Sequence, residues 1–328
     1  MKRHRKIDVS YFSTRSDLLT QYSAELSQLH ETCTHHLSAF APRLRQAGKA
    51  LLQRYTAHWQ GIDWVQPLVL NEAWSVPLPS RQTLTLANAL TTLHTQIQTE
   101  AMNNDSWRST ELLPLGSLLY TQALHQYQQL FPPTSHFWRL LEGYYLEWTE
   151  ATLREQQRKW GAVRRYTQED ILQLAGTRAL LKIHGAAVVM LTDNQRVIVP
   201  LGSILDHIHI ALQLMDGIIN WRDDMQARRV TYFLTEVAID LKVPEMSGLG
   251  RLNLERFMIT TPLLVKVANK ALDHLSAAQK VAGRLDVPAL ASYIDALETT
   301  CRQVSHHLSY DLIDTRGRLG RAAVSASF

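Results

Sequence analysis

Three observations predict an all-α fold for this chain. Apolar residues recur at helical spacing from about Ser16 to Tyr310, few stretches alternate polar and apolar as a half-buried strand would, and Pro and Gly fall where helix-length segments would end. With 328 residues, 45% of them hydrophobic, the chain is long enough for one large core or two smaller ones. One domain of about ten to twelve helices is expected.

The separators come in order. Ala41-Pro42, Pro67 and Pro77-Leu78-Pro79 divide the first quarter, and Leu113-Pro114-Leu115-Gly116 and Pro132-Pro133 mark the next two breaks. Asp193-Asn194 and Pro200 bracket Arg196-Val197-Ile198-Val199, an apolar run that could pass for a strand but has no partner run nearby, so it reads as a loop or a helix lead-in. Pro244 to Gly250 and Pro262 close the series. Residues 1–15 read as a flexible basic tail, 16–310 as the helical domain and 311–328 as a loose C-terminal tail punctuated by Gly317 and Gly320. Nothing resembles a linker, a repeat or a low-complexity tract.

Composition excludes several classes. The net charge of +4 is mild and scattered apart from Lys2-Arg3-His4-Arg5-Lys6, which reads as a solvated tail, so no nucleic-acid partner is expected. No apolar run follows that tail as in a signal peptide, and stretches such as Ala186 to Leu191 are too short to span a bilayer. Cys33 and Cys301 form no metal-ligand pattern or disulfide framework. The fourteen histidines, His207 and His209 among them, show no i, i+4 zinc pair backed by a third ligand and read as structural. A cytoplasmic, reduced enzyme is the expectation, with a homodimer possible.

The segment from Leu212 to Asp224 sets acids into an otherwise apolar helix. Asp216, Asn220 and Asp224 stand at i, i+4 and i+8, and at about 100° per residue each step turns the side chain by only about 40°. Three oxygen-bearing side chains therefore converge. Ile208, Leu212 and Ile219 share the stripe, so Asp216 is expected on a buried face, where a lone carboxylate is costly unless protonated, paired or bound to a cation. Oxygen ligands suit a hard ion such as Mg²⁺, which binds carboxylates, waters and the phosphate oxygens of a substrate. The alternative is a polar stripe meeting solvent, with Arg222 and Arg228 as surface partners.

A metal cluster needs ligands from a facing helix, and the candidate is Leu93 to Asp105. There Glu100 and Asn104 share a face at i, i+4, with Asp105 where the helix should end. A polar helix terminus would look the same.

Together the two segments resemble the class I isoprenoid synthase superfamily, which includes prenyl transferases, squalene and phytoene synthases, and class I terpene synthases. Asp216, Asn220 and Asp224 resemble its Asn/Asp, Ser, Glu triad, with Asn220 in the place of Ser and Asp224 in the place of Glu. Gln98 to Asn103 resembles its Asp-Asp-x-x-Asp motif, but Thr99 and Asn103 replace two of the aspartates. The similarity runs from about Gln82 to Leu234 and implies a helical bundle around a central pocket, Mg²⁺ and an isoprenoid diphosphate.

The resemblance also implies cations for that diphosphate. Arg178 and Lys182 lie at i, i+4 in an apolar segment, where they would point the same way, and Arg229 and Tyr232 follow the triad. Each could instead form a surface salt bridge. Tyr120, Tyr144, Tyr145, Trp148, Trp221 and Phe233 are candidates to face a carbocation, or are plain core. Glu142, Glu147, Glu150 and Glu155 read as a solvated face.

The expectation that follows is a class I terpene synthase acting on a linear or preformed bicyclic diterpenyl diphosphate. Asp216, Asn220, Asp224, Glu100 and Asn104 would hold metal, and Arg178, Lys182, Arg229 and Tyr232 would hold the leaving group, with Asp216, Arg178 and Tyr232 central to catalysis. A squalene or phytoene synthase-like condensing enzyme and a non-catalytic helical subunit are the alternatives.

Overall fold

The computed structural model describes residues 20–56, 62–103, 112–160, 162–226, 229–251, 254, 257 and 261–325, so the expected N-terminal tail lies outside the described residues. Among the described residues every regular element is helical. The α-helices are α1 (Ser23–Ser38), α2 (Pro42–Thr56), α3 (Ile62–Asn71), α4 (Leu78–Asn103), α5 (Leu113–Leu130), α6 (Phe137–Trp160), α7 (Gln168–Leu172), α8 (Lys182–Leu191), α9 (Ile198–Ile219), α10 (Trp221–Gln226), α11 (Tyr232–Asp240), α12 (Leu263–Leu285) and α13 (Pro288–Ser325). A nine-residue 3₁₀ stretch, Gln173–Leu181, links α7 to α8.

Most of the expected breaks are helix starts. Pro42 opens α2, Pro79 and Pro114 lie in the first turns of α4 and α5, and Pro262 caps α12; there a missing N–H costs nothing, because first-turn donors have no intrahelical acceptor. Pro200 sits in the first turn of α9, so the Arg196–Pro200 run is a helix lead-in. Pro67 is different, because it lies inside α3. Without its N–H the carbonyl of Asp63, four residues back, loses its intrahelical donor. Thr92 of α4 supplies one instead, Oγ1 to Asp63 O at 3.4 Å, and Asn88 Nδ2 donates to Trp64 O at 2.9 Å. At the same end of α3, Ile62 N donates to Tyr293 Oη of α13 at 3.2 Å.

The core is built around α9, which packs on α12, α8, α11 and the 3₁₀ stretch. It buries Ile204, Leu205, Ile208, Ile210, Ala211, Leu214, Met215 and Ile218. Opposite, α12 presents Leu264, Val267, Ala268, Ala271, Leu275, Ala278 and Ala282 at helical spacing, and its alanines let the two helices approach closely. On their seam the Nδ1 atoms of His207 and His274 lie 2.9 Å apart, so one ring donates and the other accepts. A second group of contacts joins α4 to α5 and α3, while α6 packs on the 3₁₀ stretch and α8.

The last helix does not stop near Asp311. α13 runs to Ser325, which places Gly317 and Gly320 within a helix and not in a loose tail. Two helical stretches, Gln168–Leu191 and Gln195–Ile219, are long and apolar enough to cross a membrane, contrary to the expectation from run lengths. The apolar window of the first is 78% buried and that of the second 44% buried inside the bundle, where both pack against other helices.

Candidate active site

A cavity of about 450 Å³ opens between α3, α4, α6, the 3₁₀ stretch, α9, α10 and α13, within the size range of small-molecule sites. One face of α9 lines it, with His209, Leu212, Gln213, Asp216 and Ile219 at helical spacing. α9 ends at Ile219, but the chain keeps a helical path through its cap. Asn220 N donates to Asp216 O at 2.8 Å and Asp224 N to Asn220 O at 2.9 Å, so the three expected ligands stay on one side and all line the cavity. Asn220 Nδ2 also donates to Asp216 Oδ1 at 2.7 Å.

The two carboxylates differ. Asp216 is open to the cavity rather than packed into the core, although surrounding protein still removes enough water to push its carboxyl above the usual range. Asp224 is 2% exposed, and burial together with the Asp216 charge pushes it up to about 6. Arg229 Nη1 donates to Asp224 Oδ1 at 3.2 Å, and Arg229 N to Asp224 O at 2.8 Å. Asp224 Oδ2 and Arg229 Nε are buried without a protein partner. A like-charged pair with an orphaned carboxylate oxygen is what a bound cation would relieve, so this donor set fits Mg²⁺.

The facing wall, α4, turns Gln96, Thr99 and Met102 to the cavity. Glu100 does not line it. One residue beyond Thr99 it lies about 100° round the helix, where its Oε2 accepts from Arg54 Nη2 of α2 at 2.7 Å. Asn104, and Asp105 beside it, lie outside the described residues.

Arg178 and Arg229 line the cavity, but Lys182 and Tyr232 do not. Arg178 lies in the 3₁₀ stretch, where each residue turns by about 120°, so four residues no longer return to one stripe. Lys182 therefore parts from it and buries its stem, with Nζ at 2.8 Å from Glu147 Oε1 and 3.0 Å from Asp206 Oδ1. Glu147 thus belongs to an ion pair and not to a purely solvated face, and Glu155 lines the cavity. Tyr232 follows Thr231, whose side chain caps α11, and turns its ring edge-on to Tyr166 at 5.4 Å.

Sequence reasoning missed Asp63. Asp63 of α3 reaches Arg178 Nη1 at 3.0 Å through Oδ2 and His209 Nε2 at 3.1 Å through Oδ1. Burial alone would raise its carboxyl, but His209 and Arg178 outweigh burial and hold it at about 2. Trp64 and Tyr293 are the aromatic rings on the cavity wall among the described residues. Tyr120, Tyr145 and Trp148 instead cluster with His94 outside it, with ring centroids 4.8 to 6.0 Å apart. The available signal for Asp63 was a lone acid in the apolar run Ile62 to Leu70.

Three solved structures that share this architecture are prenyl synthases. A geranylgeranyl pyrophosphate synthetase from the archaeon Geoglobus acetivorans matches with a TM-score of 0.67 at 16% identity, over 86% of this chain and 99% of its own. A polyprenyl synthase from Caulobacter crescentus, complexed with calcium and isoprenyl diphosphate, matches with a TM-score of 0.69 at 14% identity, over 90% and 99%. The fold is that of the class I isoprenoid synthases. A geranylgeranyl pyrophosphate synthase from Lactobacillus brevis, with a TM-score of 0.65 at 14% identity over 90% and 99%, has this class I isoprenoid synthase fold too. No family model and no curated protein sequence matches the chain.

Proposed function

We propose that this chain is a class I terpene synthase that ionises one isoprenoid diphosphate, linear or a preformed bicyclic diterpenyl diphosphate. The observation that carries the reading is the cluster of Asp216, Asn220, Asp224 and Arg229 at one end of a cavity whose other lining includes Trp64, Leu212, Ile219, Tyr293 and Leu297. Mg²⁺ held by Asp216, Asn220 and Asp224 would neutralise charge developing on the leaving diphosphate. Arg178 and Arg229 would donate hydrogen bonds to the departing oxygens. Leu212, Ile219 and Leu297 would shield the carbocation on their side of a lining that also carries Gln96, Thr99, Thr152, Gln156, Thr177 and Gln213, and Trp64 and Tyr293 would offer it π faces until a proton or a captured water ends the reaction.

A prenyl condensing activity is the second reading, favoured by the prenyl synthases that share the fold. Condensation of two diphosphate substrates needs a second cationic grip. Among the described cavity residues the guanidinium groups are those of Arg178 and Arg229, and each is already bonded to an aspartate.

Purified protein with Mg²⁺ and geranyl, farnesyl, geranylgeranyl or a bicyclic diterpenyl diphosphate, each alone and with isopentenyl diphosphate, tests both. Pyrophosphate release from one diphosphate alone, with a terpene in the extract by gas chromatography and mass spectrometry, is the expected result, and Asp216→Ala and Asp224→Ala should each abolish it with helical circular dichroism unchanged. Dimeric or elongated products would establish condensation, and silence on every substrate from folded protein would point to a non-catalytic helical subunit.

A further inference from the structure

Asp63 stands in a place where an anion works against the reading above. The cavity is built to receive a multiply anionic group, yet its described lining carries four acids, Asp63, Glu155, Asp216 and Asp224, against two guanidinium groups, Arg178 and Arg229. Arg229 is held by Asp224 and Arg178 by Asp63. Asp63 itself is fixed from several sides. Its Oδ1 meets His209 Nε2, its backbone carbonyl meets Thr92, and the amide of Ile62 before it meets Tyr293. Arg178 is the more exposed partner, its side chain 35% exposed against 14% for Asp63.

We propose that Asp63 is a specificity-determining charge lock: by holding Arg178 it keeps the cavity from binding a bare diphosphate or similar free anion, so that diphosphate enters only together with a divalent cation. The inference rests on the proposed function, since it assigns the cavity to a diphosphate. Without metal the lining is net anionic, and long-range repulsion adds to the loss of Arg178 as a donor. Metal on Asp216 and Asp224 reverses the sign at the mouth, and Arg178 can then exchange one carboxylate oxygen for a phosphate oxygen at little cost. A neutral side chain at position 63 removes the competitor without removing the donor.

Calorimetric titration with inorganic pyrophosphate, once with Mg²⁺ and once with EDTA, tests the lock on the full chain. Wild type should bind with Mg²⁺ and show no saturable heat with EDTA. Asp63→Asn should give saturable heat with pyrophosphate in EDTA, at an affinity at least about ten-fold above the weakest binding that wild type could have without giving such heat, in keeping with one charge-assisted hydrogen bond. Adding Arg178→Gln to Asp63→Asn should abolish that gain. Should Asp63→Asn lose helical circular dichroism, Asp63→Ser keeps an acceptor without the charge and carries the same expectation. The lock is overturned if wild type binds in EDTA within ten-fold of its Mg²⁺ affinity, if neutral residues at 63 gain nothing, or if the gain survives loss of Arg178. Failure of wild type to bind even with Mg²⁺ would count against the proposed function, while a metal-free gain in Asp63→Asn would still uphold the lock.

Discussion

At the cavity mouth Asp224 is the costlier of the two carboxylates, being buried beside Asp216 with one oxygen unpartnered. A carboxyl raised to about 6 in the folded state is favourable when protonated, so its cost is absent below the unfolded value near 3.8, grows as pH rises, and is complete above about 6. Asp224→Asn should therefore stabilise the unligated protein at pH 8 by up to roughly 3 kcal/mol, with the advantage vanishing near pH 4. Denaturant melts of both proteins across that range would show it. Protonation also removes a ligand, so Mg²⁺ affinity should fall about ten-fold per pH unit below about 6, measured by calorimetry. The triad was legible because a spacing of four is fixed by helix geometry, whichever helix it faces. Glu100 was misread because one residue decides between cavity and Arg54, and Asp63 and His209 meet only through tertiary packing across 146 positions.

The 3₁₀ stretch shows how an element changes what a spacing means. Residues of this stretch and α8 are apolar enough to read as one continuous helix, and nothing local announces that Gln173–Leu181 winds more tightly. The stretch also runs against a close neighbour. A Cβ on Gly176 would stand 2.6 Å from the Ala151 Cβ of α6, so the segment is pressed against α6 at a point where only glycine fits. Gly176→Ala should destabilise the fold by about 1–3 kcal/mol, as overpacking does, and should also disturb Arg178 two residues on. Thermal melts together with pyrophosphate affinity would register both effects. The helix starts were legible because proline chemistry is local, and Pro67 inside α3 was not, since its lost bond is replaced by Thr92 from another helix.

For the whole molecule, all-α architecture followed from periodicity, while the pairing of helices did not. The acid cluster lies on α9 and α10 and its facing wall on α4, so ligands that bridge them should tie two groups of helices together. Mg²⁺ with pyrophosphate should raise the melting temperature more than Mg²⁺ alone, since binding only the native state stabilises it by mass action. α9 also forms the seam with α12, where His207 and His274 share one hydrogen bond. Burial lowers both rings, His274 to about 4, with the neighbouring imidazole adding to its shift. Stability from neutral rings is whole above the unfolded value near 6.5 and drains as pH falls toward 4. Two imidazolium groups leave no lone pair between them, so an attraction becomes a repulsion. Acidification thus works as a wedge in the half-buried seam between α9 and α12, prising at the helix that carries Asp216.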